Sequence, residues 1–141
     1  MSYIVAADGS EESNDAVRYA ATHAATFGES LEIVHVITLD TELVDGDVVM
    51  QGRETATDEG HDTLEDAQAV ARDAVPSADL DIETQLLTGR PATAVADRAT
   101  AADAEAIFVG HRGLSTEQEA VVGSVAKEIV SKATVPVTVV R

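Results

Sequence analysis

The feature that most constrains this chain is a regular exchange between two hydrophobic periods. Short β-branched apolar runs at residues 3–7, 31–39, 106–109 and 135–140 read as strands. A weaker run at 82–87 alternates Ile82, Thr84 and Leu86 against Glu83, Gln85 and Leu87. Between them apolar residues recur at helical spacing, as in Ala16, Val17, Ala20, Ala24 and Phe27, or Leu64, Ala67, Ala71 and Val75. The order β-α-β-α-β-α-β-α-β, with strands apolar on both faces, predicts an open parallel five-stranded α/β sheet covered by helices on both sides and joined by right-handed crossovers. No repeat or interdomain linker divides the chain, so residues 1–141 are expected to form one domain. Residues 40–61, acidic and holding Gly46, Gly52 and Gly60, read as a mobile connection or a plain solvated loop entering the second helix.

Composition narrows what such a sheet can serve. Asp and Glu number 26 against 9 Lys and Arg, a formal charge of −17. Nucleic acid and anionic membranes both require clustered Lys or Arg, and Lys127 and Lys132 stand beside seven scattered Arg, so neither is an expected partner. Apolar residues make up 45% of the chain, mainly 24 Ala and 19 Val, with two Phe, two Tyr and no Trp. Small side chains must therefore pack closely, and little aromatic surface is left to stack a base or a flavin. The absence of cysteine excludes a disulfide framework, a cysteine nucleophile, a thiolate zinc site and an iron–sulfur cluster. With no targeting segment and no apolar run near the roughly 20 residues that span a bilayer, a soluble cytoplasmic protein is expected. The acid excess and scarcity of Lys predict adaptation to a high-salt cytoplasm, where the Debye length falls to about 3 Å at 1 M.

In an open parallel sheet, ligands collect outside the carboxyl ends of the strands where the strand order reverses. The loops to inspect are Ala6-Ala7-Asp8-Gly9-Ser10 after the first strand and Val109-Gly110-His111-Arg112-Gly113, continuing to Gly123-Ser124-Val125-Ala126, after the fourth. Gly110, Gly113 and Gly123-Ser124 form a Gly-x2-Gly-x9-Gly-Ser arrangement between a strand and a helix. Glycines let backbone N–H groups approach an anion, and Ser124, read as the N-cap, would expose its hydroxyl with the free N–H groups of the first turn. The alternative is that the glycines only shape turns. Charge placement favours the anion: the first helix opens on Ser10-Glu11-Glu12, whereas Ser124-Val125-Ala126-Lys127 has no acid before Glu128, and Arg112 adds positive charge. Asp8 would accept a ribose hydroxyl, hold Mg²⁺ through a water, or simply cap the first helix. Val36, near the end of the second strand, is either a neighbour for a base or plain core. His35 reads as a strand residue satisfied in place, and His23 and His61 as surface.

At these residues the chain resembles the universal stress protein family, specifically its ATP-binding branch. The similarity runs from Ile4-Val5-Ala6-Ala7-Asp8-Gly9-Ser10 through His35-Val36 and Gly89-Arg90-Pro91-Ala92 to Pro136-Val137-Thr138-Val139-Val140. Its most specific part is the Gly-x2-Gly-x9-Gly-[Ser/Thr] pattern at Gly110, Gly113, Gly123 and Ser124. The resemblance implies a Rossmann-like sheet of order 3-2-1-4-5, with the switch point between strands one and four. It implies that Asp8 and the backbone at Ala6 and Ala7 lie against adenosine, that Val36 contacts adenine, and that Val109 and Gly110 line the base and ribose. Gly113, Gly123, Ser124, Val125 and Ala126 would hold the phosphates of ATP, or of ADP or AMP. His111 stands where the family often has Ser, and would contact ribose or phosphate or face solvent. Ala126 lacks a hydroxyl that some members carry.

The chain has no Gly-x4-Gly-Lys-[Ser/Thr] loop and no lysine poised for a γ-phosphate, which favours a nucleotide-binding regulatory module over an ATPase or phosphotransferase. A ligand-free dimeric scaffold is the further alternative. ATP would bring Mg²⁺ with it, and an unidentified regulatory protein would read the bound state. The final strand, from Val135 to Val140, is apolar on both faces; at a sheet edge it would invite a second chain, and the resemblance implies a homodimer through it.

Overall fold

A computed structural model describes residues 2–38, 42–44, 47–49, 53–77, 79–111 and 123–141. Five parallel strands carry it: β1 (Ser2–Ala6), β2 (Ser30–Ile37), β5 (Ile82–Thr88), β6 (Ala106–Gly110) and β7 (Val137–Val140). Between β2 and β5 lie a short antiparallel hairpin, β3 (Glu42–Val44) and β4 (Asp47–Val49), and the helix α2 (Arg53–Ala74). The other helices are α1 (Glu11–Phe27), α3 (Pro91–Ala101) and α4 (Ser124–Lys132). The sheet order is β5-β2-β1-β6-β7, which is the expected 3-2-1-4-5 when its strands are counted alone.

The strands alternate as a sheet covered on both faces requires. Tyr3, Val5, Leu31, Ile33 and Phe108 join the Ala-rich faces of α1 and α2, whereas Ile4, Val34, Ile107 and Val109 join α3 and α4. Ala16, Ala20, Ala21 and Ala24 are fully buried on α1, so helix backbone comes close to strand backbone. Gly110 records that approach. A Cβ added there would stand 2.7 Å from the Glu12 carbonyl oxygen and 3.1 Å from the Ser13 nitrogen. On the other face Glu32, 5% exposed, is paired through Oε1 with Arg98 Nε at 2.7 Å, so its burial leaves no uncompensated charge.

Three expectations are corrected. Residues 53–61, read as connection, are helical, and 42–44 and 47–49 form the paired strands β3 and β4. Gly60, taken as a loop signal, is buried: a Cβ there would meet Leu86 Cδ1 at 2.7 Å and Ile37 Cγ2 at 3.2 Å, so α2 packs closely on the sheet at this point. His23, read as surface, is half-buried, its ring within 6.0 Å of the rings of Tyr3, Tyr19, Phe27 and Phe108.

Candidate functional site

The sheet order changes direction between β1 and β6, so their carboxyl ends open a crevice bordered by the starts of α1 and α4. Ala6 ends β1, and the Ala7 N–H extends the ladder by donating to the Val34 carbonyl at 2.8 Å. Asp8, Gly9 and Ser10 then turn the chain into α1, with Gly9 at φ +86°, a conformation that favours glycine. Ser10 is the N-cap, its Oγ accepting from the Ser13 N–H at 3.1 Å. Asp8 Oδ1 accepts both the Ser10 N–H, at 2.9 Å, and the Ser10 hydroxyl. The capping alternative raised for Asp8 thus holds in modified form, since Asp8 secures the cap and Ser10 is the cap itself. Its own N–H donates to Ser13 Oγ at 3.1 Å. Ser13 was not singled out from sequence, although a buried serine three residues after a Ser N-cap signals a second local acceptor.

On the far side, Gly110 pairs with Val140, the His111 N–H donates to the Val140 carbonyl at 2.9 Å, and the His111 carbonyl accepts from the Gly123 N–H. These bonds bring the end of β6 to the start of α4. Arg112 and Gly113 lie outside the described residues. The expected N-cap at Ser124 is corrected: Gly123, with φ −64° and ψ 159°, is the N-cap, and Ser124 is the exposed first helical residue. Among the described residues no side chain caps α4, and its first turn holds no acid. The first turn of α1, by contrast, carries Glu11 and Glu12.

Ala6, Val36, Val109 and Ala126 come together in one apolar cluster on the α3–α4 side of the crevice. Ala126 is 1% exposed, so its side chain is core and only its backbone can serve a ligand. The buried face of α4 is Ala126 and Ile129, with Ala133 packed behind them. Val125 and Val130 are 41% and 54% exposed, because the period of 3.6 that buries Ala126 and Ile129 turns them outward. Ala7 belongs to the opposite core, under α1. The described site residues therefore place an apolar floor of Ala6, Val36, Val109 and Ala126 between Asp8 on one side and the start of α4 on the other. Among the described residues, no group of three His, Cys, Asp or Glu could hold a metal ion, and no helix is long and apolar enough to cross a membrane.

The fold is a doubly wound α/β sheet, whose ligand crevice lies at the switch point outside the carboxyl ends of the strands. The profile of the Universal stress protein family matches residues 3–141, and the chain belongs to that family. It is 28% identical over 138 residues to a universal stress protein of Thermus aquaticus, covering 98% of this chain and 96% of that one. A Mycobacterium bovis universal stress protein is 30% identical over 144 residues, but this chain spans 47% of its length. Among solved structures, the universal stress protein of Archaeoglobus fulgidus superposes with a TM-score of 0.79 at 26% identity, covering 100% of this chain and 98% of that one. A universal stress protein in complex with cAMP gives 0.75 at 28% identity, covering 100% and 97%. The Archaeoglobus fulgidus protein has also been solved in complex with dAMP.

Proposed function

We propose that this protein binds an adenine nucleotide in the crevice between β1 and β6 and acts as a nucleotide-dependent regulatory module in a stress response. The observation that carries the proposal is the start of α4, which has no side-chain cap among the described residues and no acid in its first turn although it borders the crevice of a protein with a formal charge of −17. The N–H groups there suit phosphate. Ala6, Val36 and Val109 offer an apolar seat for adenine, and Asp8, whose Oδ1 is committed to Ser10, would use Oδ2 to accept from a ribose hydroxyl. Arg112 and Gly113 would close over the phosphates with Gly123, Ser124 and the backbone of Val125 and Ala126. That two family structures hold cAMP and dAMP supports an adenine ligand.

Asp8 alone is too few ligands for a dedicated Mg²⁺ site, and Mg²⁺ would arrive on the phosphates of ATP. With no P-loop, the reading is binding rather than turnover; ATP hydrolysis faster than about 1 s⁻¹ would overturn it. The acidic coat is read as adaptation of a cytoplasmic protein to concentrated salt. The assembly proposed is a homodimer through β7, which lies at the sheet edge with Val140 beside the exposed Tyr19 and Phe27. Light scattering of Val139→Asp should give a monomer mass with unchanged far-UV dichroism, and a retained dimer would contradict the β7 interface. The decisive test of the main reading is chemical: protein purified in high salt and then denatured should release AMP, ADP or ATP. Neither released nucleotide nor calorimetric binding of added ATP or AMP would leave a ligand-free scaffold.

A further inference from the structure

His35 lies on β2 beneath α2, and its Nδ1 is 2.6 Å from the Ala7 carbonyl oxygen. A carbonyl can only accept, so Nδ1 carries the proton and donates. The ring is held from behind by α2, where Gly60 comes so near that a Cβ there would stand 3.4 Å from His35 Cδ2. The Ala7–Asp8 peptide that receives this bond is fixed on every side. Ala7 N–H donates to Val34, Asp8 N–H to Ser13 Oγ, and Asp8 Oδ1 accepts from Ser10. We infer that His35 is a positioning residue for the nucleoside end of the crevice: by anchoring the Ala7 carbonyl it sets the plane of the Ala7–Asp8 peptide and so aims Asp8 at the ligand. This role rests on the nucleotide-binding reading. It extends that reading to a residue that touches no ligand and lies on the α2 side of the sheet.

The inference separates the two ends of the site. Removing the donor should loosen Asp8, which serves the nucleoside, and leave the start of α4, which serves phosphate. His35→Phe keeps a flat ring under α2 without a donor, and His35→Asn keeps a donor near the position of Nδ1 without the ring. Adenosine and AMP should bind His35→Phe about tenfold more weakly than wild type, and His35→Asn should recover binding to within about threefold. Tripolyphosphate should bind all three proteins alike. Amide hydrogen exchange, which needs no ligand, should show the Asp8 N–H losing protection in His35→Phe and regaining it in His35→Asn. Unchanged adenosine affinity and Asp8 protection in His35→Phe would overturn the inference. So would equal weakening of adenosine and tripolyphosphate, the mark of general damage. Wild-type protein that binds no adenosine would overturn the nucleotide reading instead, and the exchange measurement would still decide whether His35 holds the Asp8 peptide.

Discussion

Two helix starts face each other across the crevice, and they are finished in opposite ways. At α1 the sequence supplies its own answer to the unpaired N–H groups: Ser10 caps Ser13, Asp8 secures Ser10, and Glu11 and Glu12 place negative charge on the positive end of the dipole. At α4 nothing comparable is supplied among the described residues, since Gly123 has no side chain and Ser124, Val125 and Ala126 carry no charge. The α3 start also lacks a side-chain cap, but it follows β5 at the far edge of the sheet, and Pro91 removes one of its donors. A helix finished by its own residues has little left for an anion. On the proposed function, the contrast gives α1 to structure and α4 to the ligand.

The most direct way to break that assignment is Gly123→Val. The Gly123 backbone is extended at φ −64° and ψ 159°, which valine adopts freely, so the fold should survive. A branched side chain over the first-turn N–H groups should weaken AMP and ATP by about a hundredfold or more, the scale of losing several charge-assisted hydrogen bonds. Titration calorimetry beside thermal melts would read both. Wild-type affinity in this variant would remove α4 from the site.

Gly110→Ala makes the complementary claim. Its added Cβ would meet helix backbone at Glu12, which cannot swing aside as a side chain can. A loss of about 1–3 kcal/mol in denaturant unfolding is expected, the cost of overpacking a tight contact. Stability equal to wild type would mean that Gly110 serves the ligand as Gly123 does.

These two glycines mark how far the sequence could be read. The Gly-x2-Gly-x9-Gly-Ser spacing points to the loop after β6, but spacing does not separate a glycine that admits a helix from one that would admit a ligand. That depends on Glu12, about a hundred residues away in the chain. Gly60 misled for the same reason. It continues the α2 stripe of Leu64, Ala67 and Ala71, yet a glycine reads as a breaker until Leu86 and Ile37 are seen beneath it. The hairpin strands β3 and β4, at three residues each, are too short for any periodicity to register. The sheet strands were legible because four run apolar; 82–87 also formed a strand, although only Ile82 of it is buried and Leu86 and Leu87 are both half-buried. His35 was legible as satisfied in place, but its partner, the Ala7 carbonyl, was not.

A third test copies the chemistry of α1 onto α4. Val125 is 41% exposed in the first turn, so Val125→Glu sets a carboxylate where α1 has Glu11 and Glu12. The helix should gain about 0.3–1 kcal/mol from the dipole interaction. Nucleotide affinity should fall about tenfold as that carboxylate takes the place of phosphate. Opposite signs in stability and affinity are the outcome that sharpens the comparison. A gain in stability with affinity untouched would mean that phosphate does not approach this turn.

The smallest expected effect concerns salt, and it tests whether the difference between the two starts is local. ATP carries about four negative charges, so the formal charge of −17 repels it at long range. The attraction at α4 acts within the first turn. Raising monovalent salt from about 0.1 M to 1 M shortens the Debye length from about 10 Å to about 3 Å, which removes distant repulsion before it weakens contacts at hydrogen-bond distance. ATP affinity, measured by calorimetry at constant Mg²⁺, should therefore rise severalfold over that range, while that of uncharged adenosine stays nearly flat. A steady fall in ATP affinity would mean that screenable positive charge from Arg112 and Lys127, rather than the uncapped N–H groups of α4, supplies the attraction.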